Sequence, residues 1–164
     1  MKHLALPSQA RLKELLDYNE ETGVFRWKAK LSGVRVGDIA GSKNTYSQIK
    51  VDTIPYLAHR LAWRYVTGED PGEFDIDHDD RNKHNNSFIN LRKATKSENI
   101  SNSGLRKDNK LGIKGVQQQG NRYVARIRKN GKRHYLGSYK TPEEAQEAYK
   151  AAALELHGEY ANYG

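Results

Sequence analysis

The chain has 164 residues, a formal net charge of +8 and an apolar share of 36%. This length suits one domain or two small ones, and the low apolar share predicts small cores. The absence of cysteine excludes disulfides and cysteine-bound structural zinc, so we expect no structural zinc. No apolar run approaches about 18 residues, and no secretory leader is recognisable. We therefore expect no membrane partner and a cytoplasmic location, and the positive charge favours a polyanionic partner.

Short helices and strands alternate in the first part of the chain. Ser8 is a suitable helix cap, and an apolar stripe at helical spacing follows it. Gly68 is placed to end a second helix. The predicted elements are a helix over residues 8–18, a turn over 21–23, a strand over 24–27, a strand over 46–51 and a helix over 58–67.

The middle of the chain combines alternation, turn formers and a helix start. Apolar and acidic residues alternate over 74–77, which is typical of a half-buried strand, and residues 79–90 are rich in turn formers. Thr95 and Glu98 form a capping-box pattern. We therefore predict a strand, a returning loop and a helix that carries Asn99 in its first turns.

The last part of the chain differs in pattern. Residues 100–111 are polar and basic without periodicity, which indicates a linker. Three short strands and one helix are then predicted, and such a set makes a small self-sufficient α+β module. The strands are predicted over 112–119, 122–128 and 133–139, and the helix from a capping box at Thr141 to Gly158.

Four polar residues at defined spacing suggest a chemistry. Asp77 and His78 are adjacent, Asn90 lies thirteen residues after Asp77, and Asn99 lies nine further on. A histidine with a pKa near neutrality suits removal of a proton from an attacking water. Carboxylate and amide oxygens suit a divalent ion that stabilises a leaving oxygen. The set predicts hydrolysis of nucleic-acid phosphodiesters, and the alternative is that these residues only satisfy turns.

A family resemblance favours the catalytic interpretation. Residues 76–99 resemble the HNH, or ββα-metal, endonuclease motif, and residues 10–104 resemble the HNH homing endonucleases of phages and mobile introns. The matching stretches are Tyr18 to Trp27, His59-Arg60-Leu61-Ala62-Trp63, Ile76-Asp77-His78 and Asn90-Leu91-Arg92. The resemblance implies that His78 is the general base and that Asp77 and Asn99 bind one Mg²⁺ or Mn²⁺. It also implies that Asn90 orients the loop and helps to fix His78.

Two positions depart from the common family pattern. Many members carry histidine where this chain has Asn99, and asparagine is a neutral and weaker ligand. Glycine is frequent at the position of Arg81. The preferred metal and the conformation of the loop therefore depend on this chain's own residues.

The C-terminal module carries an unusual density of positive charge. Residues 112–140 contain eight Lys or Arg and no Asp or Glu. Strand alternation separates Tyr123, Ala125 and Ile127, which can meet the helix, from a basic outer face. Exposed arginines also occur on ordinary solvated faces. A basic sheet can nevertheless enter the major groove of DNA, where arginine and glutamine contact base edges.

Residues 112–164 resemble the Apetala-type, or ethylene-response-factor, DNA-binding domain. The resemblance rests on Gly115-Val116, Ala125-Arg126-Ile127-Arg128, Tyr135-Leu136-Gly137, Thr141, Glu143-Glu144-Ala145, Ala148-Tyr149 and Ala151-Ala152. It implies that the following residues face DNA: Lys114, Gln117, Gln119, Arg122, Arg126, Arg128, Arg133 and Tyr135. The plant domains usually carry arginine at the positions of Gln117 and Gln119 and often glutamate at that of Arg126, so their target sequence is not transferred.

Together these features predict an α+β chain. An N-terminal ββα-metal nuclease module over residues 1–99 and a basic linker over 100–111 precede an Apetala-type domain over 112–164, in which a three-stranded antiparallel sheet packs on one helix. The expected function is a metal-dependent endonuclease acting on double-stranded DNA, favoured as a monomer and in the host cytoplasm if phage-encoded. The alternative is a non-catalytic, sequence-specific DNA-binding regulator with a nuclease-like scaffold. RNA ranks lower because the sheet lacks a paired aromatic platform.

Overall fold

The computed structural model describes residues 4–42 and 46–164, and it divides the chain into two compact units, Met1–Ala94 and Thr95–Gly164. The predicted mixture of α and β structure is confirmed. The sheets are small and antiparallel, and the described residues contain four α-helices. No helix within the described ranges is both long enough and apolar enough to cross a bilayer.

The first unit is built from three β-hairpins and two helices. Its elements are α1 Gln9–Leu15, β1 Leu16–Asn19, β2 Val24–Trp27, β3 Gln48–Val51, β4 Ile54–Leu57, α2 Ala58–Thr67, β5 Asp75–His78 and β6 Leu91–Ala94. The antiparallel pairs are β1 with β2, β3 with β4, and β5 with β6. A 3₁₀ turn over Phe88–Asn90 leads into β6. In the last hairpin Asp77 lies opposite Arg92, and His78 lies opposite Leu91.

The first predicted helix is correct at its start and wrong at its end. Ser8 caps α1 by accepting a hydrogen bond from the backbone N–H of Arg11 at 3.1 Å. The helix ends at Leu15, and the next residues form β1 instead of a further helical turn. Leu16 and Tyr18 are buried alternately and lie opposite Trp27 and Phe25. Leu16 fits the helical spacing of Leu12 and Leu15 and also alternates with Tyr18, and pairing with β2 makes it the first residue of a strand.

Helix α2 agrees with its predicted bounds and positions the strand that follows. Gly68 ends it in the left-handed conformation at φ 73°, as expected for a glycine C-cap. Leu61 is fully buried in the core of this unit. The buried Arg60 guanidinium donates to the carbonyls of Phe74 at 2.8 Å and Gly72 at 3.0 Å. These bonds anchor the segment that leads into β5.

The second unit is a three-stranded antiparallel sheet packed on a long helix. Its elements are α3 Lys96–Asn102, β7 Val116–Gln119, β8 Arg122–Lys129, β9 Lys132–Tyr139 and α4 Pro142–His157, with strand order β7-β8-β9. Both predicted capping boxes are present, at Thr95 and at Thr141. The first strand begins at Val116 and not at Gly112, because Gly115 takes a positive φ of 73° that breaks the extended run.

Helix α3 belongs to this second compact unit. Its last turn, Ile100 to Asn102, covers residues that the sequence assigns to a linker. The buried Asn162 donates its amide Nδ2 to the carbonyl of Asn102 at 2.6 Å, and the Lys114 ammonium donates to the carbonyl of Ser101 at 2.6 Å. The compact units divide after Ala94, whereas the predicted nuclease module runs to residue 99, and that module boundary remains a prediction.

Candidate functional site

His78 ends strand β5 and is held on two sides. Its side chain is buried, with 5% of the residue exposed. The ring nitrogen Nε2 lies 3.0 Å from the amide oxygen Oδ1 of Asn86. The ring of His59, from α2, stands edge-on to it with centroids 5.0 Å apart. Two neighbouring groups therefore restrict the orientation of this imidazole.

Asn86 is itself anchored by the N-terminal hairpin of β1 and β2. The hydroxyl of Tyr18 donates to the backbone carbonyl of Asn86 at 2.6 Å. The turn of the hairpin touches the same peptide, since a Cβ on Gly23 would lie 2.2 Å from the Asn86 carbonyl carbon. The backbone N–H of Phe88 donates to the carbonyl of Glu20 at 2.8 Å. The loop that supports His78 is thus fastened to residues more than sixty positions earlier in the chain.

Asp77 is buried beside an arginine of the paired strand. Arg92 donates from Nε at 3.1 Å and from Nη2 at 3.0 Å to Oδ2 of Asp77. The same guanidinium pairs with Asp79 through Nη1 at 2.5 Å. Cross-strand register explains the contact, because Asp77 and Arg92 are direct partners on β5 and β6. The guanidinium partly neutralises the carboxylate charge at the end of the hairpin.

Asn90 closes the loop between β5 and β6. Its amide nitrogen donates to Oδ1 of Asp80 at 2.9 Å and to the carbonyl of Asn85 at 2.8 Å, and its Oδ1 accepts from the N–H of Asp80 at 3.0 Å. Partial burial acts to raise the pKa of the Asp80 carboxyl. Hydrogen bonds from Asn85, the Asn82 N–H and Asn90 outweigh this effect and lower the pKa, so the carboxylate stays ionised.

The loop conformation accounts for the unusual Arg81. This residue takes a left-handed φ of 63°, a region that glycine occupies without steric cost. The resemblance to sequences with glycine at this position agrees with that backbone requirement. The arginine is accommodated in a loop that Asp80, Asn85 and Asn90 already hold together.

Asn99 lies in the first turns of α3 and belongs to the second unit. Its backbone N–H donates to the carbonyl of the capping residue Thr95 at 3.0 Å. The structure brings Asp77, His78 and Asn90 together within the first unit. Among residues 4–42 and 46–164, no group of three or more histidine or acidic side chains is arranged to hold a metal ion.

Comparison with known proteins assigns a family to this site. Residues 56–100 match the model of the HNH endonuclease family. The chain is 36% identical over 104 residues to the uncharacterized HNH endonuclease L560 of Acanthamoeba polyphaga mimivirus, with 63% of this chain and 54% of that protein aligned. It is 33% identical over 107 residues to Protein 3.8 of Escherichia phage T7, with 64% of this chain and 88% of that protein aligned.

This chain contains an HNH endonuclease domain and belongs to one family with phage T7 Protein 3.8. It spans about half the length of the mimivirus relative. The matched segment runs from Tyr56 to Ile100 and therefore contains β5, β6 and the loop between them. The N-terminal hairpin that anchors Asn86 lies outside the segment matched to the HNH domain.

Beyond the HNH domain, the second unit presents a basic sheet face. Pairing places Gln119 opposite Arg122, Arg126 opposite Tyr135, and Arg128 opposite Arg133. The exposed members of the predicted DNA-facing set are Gln117, Gln119, Arg122, Arg128, Arg133 and Tyr135, and Arg126 is half-buried. Lys114 differs from them, because its ammonium binds the carbonyls of Ser101 and Ser103 near the end of α3.

Val124 departs from the expectation that the outer face is open to solvent. It is buried, although it alternates with Ala125 and Ile127, which pack under α4. Hydrogen bonds cross the strands on either side of it, from Arg122 to Ser138 and from Arg126 to Gln117. Beside this face, a cleft of about 680 Å³ separates residues 106–111 from β7.

Sequence reasoning did not single out two residues of the HNH domain. Asn86 is one of several asparagines in a turn-rich loop, and no spacing rule distinguishes it from Asn85. Arg92 stands in a stretch that matches the family, but its ion pair with Asp77 depends on strand register. His59 is buried in contact with His78, and sequence reasoning assigns it no role beyond its place in a matching stretch.

Proposed function

We propose that this protein is a metal-dependent endonuclease that hydrolyses phosphodiester bonds of double-stranded DNA. The observation that carries the proposal is the buried, hydrogen-bonded His78 next to Asp77 in an HNH endonuclease domain. A basic sheet in the same chain supports a polyanionic substrate. The relative from mimivirus carries the words HNH endonuclease in its name.

The available donor groups fit one hard divalent cation. Asp77 offers a carboxylate and Asn99 an amide carbonyl, and oxygen ligands of this kind suit Mg²⁺ or Mn²⁺. Such ions are often held by one or two protein groups, with waters and substrate phosphates completing the coordination. When bound, the ion would supply positive charge to the leaving oxygen and the scissile phosphate. The ion pair between Arg92 and Asp77 reduces the net negative charge that the site presents to the ion.

The protein's own groups account for the remaining requirements of hydrolysis. The imidazole of His78 accepts a proton from the attacking water, whose oxygen forms the new bond to phosphorus. The bond from phosphorus to the 3′-oxygen breaks, and that oxygen takes a proton from solvent. Asn90 keeps the loop after His78 closed through Asp80 and Asn85. Contact with Asn86 and His59 restricts the ring, so little reorientation is needed during the reaction.

The second unit would position the substrate. Its exposed arginines and glutamines can bind phosphates and base edges from a sheet laid in the major groove. We assign this role to Gln117, Gln119, Arg122, Arg126, Arg128, Arg133 and Tyr135, and the resemblance adds Lys114. One catalytic centre per chain favours nicking, unless two chains act together on one duplex.

A second candidate function is a DNA-binding regulator without cleavage. Two observations favour it: Asn99 is a neutral ligand, and the Asp77 carboxylate already binds the Arg92 guanidinium. Both reduce the attraction of the site for a cation. This function would still use the basic sheet.

Supercoiled plasmid distinguishes the two candidates. Incubation with Mg²⁺ or Mn²⁺ should give nicked circles with the wild-type protein, and a chelator should abolish them. His78→Ala, Asp77→Ala and Asn99→Ala should each lose nicking by roughly 100-fold or more. His84→Ala is the matched control, because His84 is an exposed histidine in the same loop.

The pattern of variants decides the interpretation. If His84→Ala loses as much nicking activity as His78→Ala, nicking depends on the integrity of the loop and not specifically on His78. Binding to plasmid without nicking in either metal would establish the regulator. If nicking persists in Asn99→Ala but disappears in Asp77→Ala, Asn99 is excluded as a metal ligand and Asp77 is retained.

A further inference from the structure

The imidazole of His78 has two nitrogens, and only one of them can accept a proton in the neutral ring. The amide oxygen of Asn86 lies 3.0 Å from Nε2. An amide oxygen accepts hydrogen bonds and cannot donate them. This contact therefore requires the hydrogen to be on Nε2, and the basic nitrogen of the neutral ring is Nδ1.

We propose that Asn86 is a positioning residue that keeps His78 in the Nε2–H tautomer and directs Nδ1 to the reacting water. The inference deepens the proposed nuclease function and rests on it for its catalytic consequence. Asn86 acts by accepting a hydrogen bond from Nε2 of the base, as second-layer residues do around other catalytic histidines.

Asn86 is well suited to this task because it is buried and fastened at its backbone. Only 4% of the residue is exposed. The Tyr18 hydroxyl binds its carbonyl at 2.6 Å in a buried position, and the turn at Gly23 packs directly against its peptide. The side-chain amide thus projects from a fixed point, and its orientation does not depend on solvent.

The anchor lies outside the family match. Tyr18 and Gly23 belong to the hairpin of β1 and β2, whereas the HNH model covers residues 56–100. The N-terminal hairpin therefore acts on the catalytic histidine through one asparagine.

The tautomer can be measured directly by nitrogen NMR on the full-length protein. The chain has six histidines. The imidazole nitrogen signals that disappear in His78→Gln are assigned to His78. At pH about 8, wild-type His78 should show a protonated Nε2 and an unprotonated Nδ1, as the contact with the Asn86 amide oxygen requires. An Nδ1–H tautomer in the wild type would overturn the proposal, whatever the variants do.

Variants at position 86 test the cause. Asn86→Leu keeps the approximate volume and removes the acceptor, so the two tautomers of His78 should become mixed. Asn86→Asp keeps an acceptor and should preserve the Nε2–H form. Asn82→Leu is the matched control, because Asn82 is an exposed asparagine in the same loop.

Plasmid nicking then measures the catalytic consequence. Asn86→Leu should lower kcat by roughly 10- to 100-fold with little change in KM, since the base is misoriented and DNA contacts are intact. Asn86→Asp should recover a large part of that loss. If Asn86→Leu does not fold, Tyr18→Phe removes the anchor more gently and should lower kcat by a smaller factor in the same direction.

The outcomes separate this inference from the proposed function. If the wild-type protein nicks DNA and Asn86→Leu keeps both the tautomer and kcat, the role of Asn86 is refuted. The proposed nuclease function is then unaffected. A wild-type protein that shows the Nε2–H tautomer but nicks no DNA refutes the nuclease and supports the assignment of the tautomer. Equal changes in Asn82→Leu and Asn86→Leu would refute a specific role for Asn86.

Discussion

At the scale of single residues, the HNH domain depends on neutral amides as much as on charged groups. Asn86 binds the imidazole of His78, and Asn90 binds the loop carboxylate of Asp80. Amides can be buried at lower cost than charges when their hydrogen bonds are made. A loop rich in asparagine can therefore pack against a hydrophobic unit and still present fixed polar atoms to a site.

Gly23 should be one of the least replaceable residues of the first unit. A Cβ at this position would lie 2.2 Å from the carbonyl carbon of Asn86 and 2.3 Å from the nitrogen of Ser87. We expect Gly23→Ala to lower the free energy of unfolding by roughly 2–4 kcal/mol. The cost of a left-handed alanine backbone and the clash of its Cβ with the peptide of Asn86 and Ser87 both contribute. Urea unfolding monitored by tryptophan fluorescence measures the change, since Trp27 and Trp63 both lie in this unit.

Gly33 provides the control for this prediction. Its φ of 75° is close to the 70° of Gly23, but nothing lies within 4 Å of the position of a Cβ. Gly33→Ala should therefore cost only the left-handed strain of about 1–2 kcal/mol. Equal destabilisation by the two substitutions would show that the contact of Gly23 with the Asn86 peptide is not tight.

At the scale of elements, the two units are stabilised differently. The hairpins of the first unit have strands of four residues and depend on a shared apolar core around Leu12, Leu16 and Leu61. The second unit has strands of up to eight residues and a helix of sixteen, closed by a capping box at Thr141. Helix α3 joins this unit through Ser101, whose hydroxyl lies 3.2 Å from Nδ1 of His157 on α4.

His157 should make the second unit sensitive to acid. Burial lowers the pKa of its imidazole, and the nearby Lys129 and Lys114 lower it further. The unfolded chain therefore binds a proton at a higher pH than the folded chain. The contribution of His157 to the free energy of unfolding is complete above about pH 6.5 and is lost as the pH falls through the pKa of the folded state. The change should be visible in urea unfolding of the full chain by circular dichroism between about pH 8 and pH 5.

His157→Gln is the comparison for this pH dependence. Glutamine can still bind Ser101 but does not titrate, so the loss of stability on acidification should be smaller in the variant. Carboxylates titrate in both proteins and cancel in the difference. Parallel curves for the variant and the wild type would contradict a role for His157.

At the scale of the whole molecule, positive charge is concentrated in one part of the chain. Eight Lys or Arg occur in residues 112–140 without an acidic residue, out of a total of 28 in the chain. Several of these side chains share the exposed face of β8 and β9. Binding to DNA through such a face releases counterions, and affinity should fall by orders of magnitude between about 50 and 200 mM salt.

Charge removal locates the binding face. Arg133→Gln should weaken binding to a DNA duplex and reduce the slope of log K against log salt by about 1, because one phosphate contact is lost. Lys150→Gln removes the same charge from α4, where Lys150 pairs with Glu147 at 2.8 Å, and should leave the slope unchanged. Equal effects of the two variants, or affinity that does not change with salt, would contradict binding by the sheet.

Much of the local structure follows from the sequence because its signals are local. Ser8, Thr95 and Thr141 cap helices as their side chains dictate, and Gly68 ends α2 because glycine tolerates a positive φ. The spacing of Asp77, His78 and Asn90 was equally visible, since one hairpin and one loop bring these three residues together. The HNH resemblance is confirmed by the family match.

Only the tertiary structure decided the remainder, because it depends on contacts between distant residues. Residues 16–18 are predicted to continue the first helix, and pairing with β2 makes them part of a strand. Val124 is buried, although strand alternation places it on the face opposite the helix. Asn86 reaches His78 because Tyr18, sixty-eight positions earlier, holds its peptide in place. Sequence patterns report the preferences of short segments, whereas burial and long-range hydrogen bonds arise only when those segments pack together.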